Sequence, residues 1–274
     1  MRTVHQWRSH DGLLLQQHTW PADGHTKATV MIIHGLGDHG GRYHRVAEQL
    51  ASQGWAVTAL DQRGHGASHG PRANAHVRDH LKDTGAAVTA LRRTQPGHPL
   101  FLLGHSWGGM LALAYALQNQ ASLDGLVLCS TAARPTPTSA TTMALGRLLA
   151  KTAPGTGTRR LPLHQTTRDP QALADFYADP LVFRHRVRAR MGFESLVTMN
   201  ETRQKLSALL TPTLLLHGTA DRIAPVEYSK HLYNALTSTD RTLKLYDGLH
   251  HQLFNEPERE TVLDDLTTWL SSRI

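Results

Sequence analysis

The sequence predicts an α/β protein with a mostly parallel sheet. Two observations carry that expectation. Short apolar runs bounded by turn residues alternate with segments of helical period. The residues of chemical interest stand just after the apolar runs, on the edge where open α/β sheets form their sites.

Strands are expected at about residues 3–9 and 13–20. The turn signal Asp11-Gly12 between them makes an antiparallel hairpin. Six more follow at about 28–34, 56–61, 100–105, 125–130, 211–218 and 241–247, and helices are expected at about 42–53, 75–95, 107–119, 225–236 and 256–272. In the first of these helices Val46, Ala47 and Leu50 share a face, and Gly54 stands where a helix stops. From Ala132 to Ser207 the alternation breaks. ARPTPT (133–138) and KTAPGTGTRRLP (151–162) give way to shorter helical stretches, DPQALADFYADP (169–180) and the Arg-rich FRHRVRARMGF (183–193). So long a segment without a strand is expected to be an inserted subdomain, leaving residues 1–131 and 208–274 as the core and 132–207 as a mainly helical insert after the sixth strand.

Of the 274 residues 40% are hydrophobic and 19% charged, which excludes wholesale disorder. No stretch approaches the roughly 18 apolar residues of a membrane helix, and the first residues, MRTVHQWRSHDGLLLQQ, lack the apolar segment of a signal peptide. A cytoplasmic protein is therefore expected. The single Cys129 excludes an internal disulfide. The net charge of +7 is concentrated: residues 131–207 hold 12 Lys and Arg against 5 acids, leaving 17 of each sign elsewhere. Such a segment suits anionic lipid head groups or phosphate esters, the plainer reading being a solvated face. Without aromatic interleaving or a nucleic-acid-binding motif, no nucleic-acid partner is expected.

Two glycine motifs compete for the chemistry. Gly35-Leu36-Gly37-Asp38-His39-Gly40 follows the apolar run TVMII and has the spacing G-x-G-x-x-G, with Asp61 at the end of the next run, as in dinucleotide-binding proteins. Gly104-His105-Ser106-Trp107-Gly108-Gly109 has the form G-x-S-x-G between a strand and a helix, a sharp turn that would raise Ser106 Oγ above the sheet. A serine hydroxyl needs a base, and the base an orienting acid. TPTLLLHG is followed by Asp221 and RTLKLYD by His250-His251, so the chain order Ser, Asp, His is present. Asp61 and Asp247 are rival acids on the same edge. Asp221 is preferred because it follows a glycine-containing turn after a long apolar strand, while spacing alone does not choose between His250 and His251. Acyl transfer also needs oxyanion donors. Trp107 N–H would supply one and the loop His34-Gly35-Leu36-Gly37 the other. No H-E-x-x-H or paired-Cys spacing points to a metal.

Together HGLGDHGGRY (34–43), LDQRGHGASHGPR (60–72), GHSWGG (104–109), ADPLV (178–182), LLLHGTADRIAP (214–225) and YDGLHHQLFNEPER (246–259) resemble the α/β-hydrolase superfamily, and within it the monoacylglycerol lipase and lysophospholipase-like serine hydrolases. The resemblance implies Ser106 as nucleophile, Asp221 as acid, Leu36 and Trp107 as backbone oxyanion donors, and no cofactor. It places the base three residues after Gly248, at His251, and leaves His250, with Gly35, to the substrate pocket. Arg63, His65 and Ser68 would brace the loop after the fourth strand. Residues 132–207 would be a cap that admits the acyl chain of a small-molecule ester, its basic face offering peripheral contact with anionic lipid. Trp107 stands where relatives commonly have Met or another smaller residue, and is expected to reshape the pocket floor.

The resemblance leaves other readings on the same fold: a general short-chain carboxylesterase, a C–C bond hydrolase, a cofactor-free haloperoxidase, or a small-molecule receptor with little turnover. Ser106 argues against the Asp nucleophile of dehalogenases and epoxide hydrolases. A dinucleotide oxidoreductase would leave GHSWGG and the ordered Asp and His unexplained, and the spacing of Gly40 is then coincidental.

Overall fold

The computed structural model describes residues 1–133 and 138–274. The ARPTPT break, along with Arg134 of the basic segment, falls largely outside the described residues. Eight strands form one sheet: β1 (Thr3–Arg8), β2 (Leu14–Trp20), β3 (Ala28–Ile33), β4 (Trp55–Leu60), β5 (Leu100–His105), β6 (Gly125–Cys129), β7 (Thr213–Gly218) and β8 (Arg241–Tyr246), in the spatial order β1-β2-β4-β3-β5-β6-β7-β8. β1 and β2 pair antiparallel, as do β2 and β4, and every later pairing is parallel. This is the α/β-hydrolase arrangement.

β3 to β7 read as unbroken apolar runs because helices cover both faces of the sheet. Successive residues of β5 show the division. Phe101 and Leu103 pack with Leu50, Trp55, Leu266 and Trp269 on one face, while Leu100 and Leu102 pack with Met110, Leu111 and Leu232 on the other. The helices are α1 (His44–Ser52), α2 (Val77–Thr94), α3 (Trp107–Gln118), α7 (Glu227–Ala235) and α8 (Arg259–Ser271), at or within a few residues of their expected places. The parallel register aligns Ile33 with Gly104, His105 with Cys129, and Gly218 with Tyr246. The loops after β3, β5, β7 and β8 therefore emerge on one edge.

Between β6 and β7 the described residues add no strand to this sheet; they form α4 (Ala140–Thr152), α5 (Pro170–Ala178) and α6 (Ala189–Lys205). Asp169 caps α5, its Oδ1 accepting the N–H groups of Gln171 (2.9 Å) and Ala172 (3.0 Å), with Pro170 in the first turn. FRHRVRARMGF is not one helix: α6 begins only at Ala189, and Val187 instead exchanges backbone hydrogen bonds with Thr158 and Arg159. The physical reason is visible in the residues. Arg184, Arg186 and Arg188 recur at period two, the repeat of extended chain rather than of helix. α4, which the sequence reading does not anticipate, buries no residue, and its Leu145 and Leu148 stand more than half exposed.

Candidate active site

β5 ends against a turn in which Ser106 adopts φ +55°, ψ −120°, a conformation costly for a side chain, before α3 starts at Trp107. The turn closes because Gly108 has no Cβ; one there would lie 2.2 Å from Ile33 O. Ser106 Oγ is thereby lifted to the sheet edge, 2.8 Å from His251 Nε2. His251 Nδ1 lies 2.7 Å from Asp221 Oδ2. The bonding assigns the tautomer: Nδ1–H donates to the carboxylate and Nε2 accepts the serine proton. Asp221 Oδ1 accepts the N–H groups of Ile223 (2.8 Å) and Ala224 (3.0 Å). Burial pushes the Asp221 carboxyl up, but the charge of His251 and hydrogen bonds from His217 and His251 outweigh it and hold the pKa well below the usual carboxylate range. Asp221 stays ionised opposite the imidazole.

The rival acids lie elsewhere. Asp61 is fully buried and accepts from Gly40 N–H (2.8 Å), Ala67 N–H (2.9 Å) and His18 Nε2 (2.9 Å). Burial opposes ionisation, yet the His18 and Ala67 bonds bring its pKa down to about 2. Gly40 is therefore more than a coincidence of spacing: it lets its N–H reach Asp61, and a Cβ there would come within 3.0 Å of both Ala59 and His18. His18, His39 and Asp61 bring ligand-type atoms within 4.8 Å of one another, but hydrogen bonds already engage both Asp61 oxygens, and the group serves as a brace. Asp247 is exposed and accepts from Thr219 Oγ1.

The loop after β3 lies against the serine. A Cβ on Gly35 would be 3.3 Å from Ser106 Cβ. Among the described residues neither Leu36 N–H nor Trp107 N–H has an acceptor within the protein. His34, fully buried, donates through Nδ1 to Gly35 O (2.8 Å) and accepts Gln62 N–H at Nε2 (3.0 Å), and burial lowers its pKa to about 4. His105 Nε2 donates to His251 O (3.1 Å) while its Nδ1 accepts from Tyr43 OH (3.0 Å); burial, then the neighbouring charge of His251, lowers its pKa to about 4. His217 Nε2 donates to Ala224 O (2.7 Å) beside Asp221. Sequence reasoning does not single out His34, His105 or His217 for these supporting parts, although each stands at or beside the end of an apolar strand.

Arg63 forms a buried pair with Asp83 (Nε–Oδ2 2.6 Å) and reaches Asp11, while Ser68 Oγ donates to Asp61 O and accepts Gln16 N–H. His65 packs flat on the Trp107 ring. The Trp107 side chain departs from expectation. Its indole is buried between His65 and His80, and its N–H donates to Ser195 Oγ on α6 at 2.8 Å, so it locks α6 to the core rather than shaping a pocket floor. His250 is half-buried with Nδ1 unpartnered, its carbonyl packed against Gly218.

Residues 24–258 match the family model described as serine aminopeptidase S33, Hydrolase_4. The chain belongs to this family. Several known proteins resemble it along nearly its whole length. It is 34% identical to a monoacylglycerol lipase of Mycolicibacterium smegmatis, covering 100% of this chain and 98% of that one. It is 32% identical to the human monoglyceride lipase, over 96% of this chain and 88% of the relative. The crystal structure of Paleococcus ferrophilus monoacylglycerol lipase superposes with a TM-score of 0.85 at 31% identity, covering 95% of this chain and 99% of that one. This Hydrolase_4 member is a carboxylic ester hydrolase. Among its described residues no helix is long and apolar enough to cross a membrane.

Proposed function

We propose that the protein hydrolyses monoacylglycerol-like or lysophospholipid-like esters through an acyl-enzyme on Ser106. The observation that carries this reading is the hydrogen-bonded chain from Ser106 Oγ through His251 to Asp221, built on a strained turn. His251 Nε2 takes the serine proton as Oγ attacks the ester carbonyl, and Asp221 stabilises the imidazolium that forms. The oxyanion is received by Leu36 N–H and Trp107 N–H, each such donor typically worth about 3 kcal/mol in the transition state. The imidazolium then protonates the leaving alkoxide. Water, activated by the same imidazole, releases the fatty acid.

Residues 132–207 act as the cap. Leu161, Leu163, Phe183 and Val187 close beside Leu36 around a cavity of only about 10 Å³, so this apolar surface has to part to admit an acyl chain. α4 presents exposed Leu145 and Leu148 on the same helix as Arg147 and Lys151, which suits an anionic lipid interface, where apolar insertion and cationic attraction add. The relatives named as monoacylglycerol and monoglyceride lipases support the substrate class. A panel of monoacylglycerols, lysophospholipids and p-nitrophenyl esters of graded chain length tests the reading. Turnover that rises with acyl length is expected. Inactivity on every long-chain ester, with turnover only of acetate, would reduce the protein to a short-chain esterase.

A further inference from the structure

The segment Ala178–Phe183, which leaves α5, touches the loop after β3 at two places that the proposed chemistry does not use. Phe183 N–H donates to Gly37 O at 2.7 Å. Gly37 has φ +82°, and a Cβ on it would lie 2.5 Å from Phe183 O, so only glycine allows this approach. Two residues on, His39 Nε2 meets Asp179 Oδ2 at 2.8 Å. Asp179 is itself fixed, with Oδ1 accepting Leu181 N–H (2.8 Å) and its carbonyl accepting Arg184 Nη1 (2.7 Å). The other ring nitrogen of His39, buried without a hydrogen-bond partner, faces Asp61 Oδ1 at 4.0 Å, the oxygen that also takes Gly40 N–H.

These contacts hold the turn Gly37–His39 from the insert on one side and from the core on the other. The turn in turn aims an amide. Asp38 N–H donates to Gly35 O at 3.2 Å, and His34 Nδ1 donates to the same oxygen. Gly35 C=O and Leu36 N–H belong to one planar peptide unit, so fixing the carbonyl direction fixes the opposite direction of the N–H. A donor of this kind must stand within about 3 Å of the place where the oxyanion forms, and a misplacement of about 1 Å can cost on the order of 100-fold in rate.

We infer that Asp179 is a positioning residue: acting through His39, and together with the Phe183–Gly37 backbone bond, it sets the direction of Leu36 N–H. The insert between β6 and β7 thereby completes the oxyanion site as well as covering it. The inference rests on the reading of Leu36 as an oxyanion donor.

The test compares Asp179→Ala, His39→Ala and the double variant on p-nitrophenyl acetate and on a long-chain monoacylglycerol, with melting temperature measured in parallel. The expected result is a fall in kcat of roughly 10- to 100-fold on both substrates, short of complete donor loss, with KM changed less than about threefold. Affinity for a trifluoromethyl ketone, whose hemiketal oxyanion needs the same donors, should fall by the same factor. The double variant should be no worse than the more impaired single variant, because the two residues act as one unit. If Asp179→Ala does not fold, Asp179→Asn, which keeps an acceptor for Leu181 N–H, is held to the same kcat criterion. An unchanged kcat on acetate, with loss confined to long-chain KM, would overturn the inference and leave Asp179 a structural tether. Ser106→Ala separates the layers: if it retains turnover the nucleophile reading fails, and if it is inactive while Asp179→Ala keeps full kcat only this inference fails.

Discussion

Trp107 and Ser195 are joined by a 2.8 Å hydrogen bond that ties the residue after Ser106 to the middle of α6. The donor is a side chain, whereas the proposed oxyanion contact uses the Trp107 backbone. Trp107→Phe should therefore keep kcat on a short ester within a few-fold and cost about 1 kcal/mol of stability for the lost hydrogen bond. Trp107→Ala, which empties a buried site, should cost roughly 3–5 kcal/mol. Urea titrations of the two variants check the ordering.

The two adjacent histidines are separated by structure as they are not by spacing. His251 hydrogen-bonds to both Ser106 and Asp221, while the Nδ1 of His250 is left without a hydrogen-bond partner. His251→Ala should lower kcat by roughly 10⁴-fold or more. His250→Ala should cost far less. Steady-state kinetics on a p-nitrophenyl ester measure both, and the reverse order would exchange their roles.

Much of this was legible along the chain, for reasons that differ from element to element. β5 and β7 are buried on both faces and so appear as apolar runs that no amphipathic helix imitates. Ser106 was legible because its glycine neighbours answer to a single steric demand. The supporting groups were not. His39 and Asp179 are 140 residues apart, and only packing brings them together. α4 lay hidden because it turns no buried face to the protein, leaving the apolar pattern without a direction. The alternating arginines from Arg184 to Arg188 did carry a strand-like period, and misled only when read as helix.

The buried histidines make stability depend on pH. Burial lowers His34 and His105 from 6.5 to about 4, and His65 to about 3. The unfolded chain thus takes up protons near pH 6.5 that the folded chain refuses. Stability is fully present above that value and is lost as pH falls toward the folded values, by roughly 1.4 kcal/mol per pH unit for each histidine. The urea midpoint should drop steeply between about pH 7 and about pH 5. A flat profile would mean that these imidazoles are not held neutral.

The Arg63–Asp83 pair is buried on both sides, each side chain about 5% exposed. Asp83→Ala should destabilise by roughly 3–5 kcal/mol, because it leaves the guanidinium with Asp11 as its one carboxylate partner among the described residues. Thermal unfolding measures the loss. A shift of less than about 1 kcal/mol would show that Asp11 alone suffices.

The central claim is that Ser106 is the nucleophile and His251 its base. Incubation with a fluorophosphonate, followed by mass spectrometry of the digested protein, tests it most directly. A single phosphonyl adduct is expected on the peptide carrying Ser106, formed far more slowly in His251→Ala and absent in Ser106→Ala, which should also lose all ester turnover. An adduct at another residue, or a Ser106→Ala variant that still turns over ester, would contradict the account.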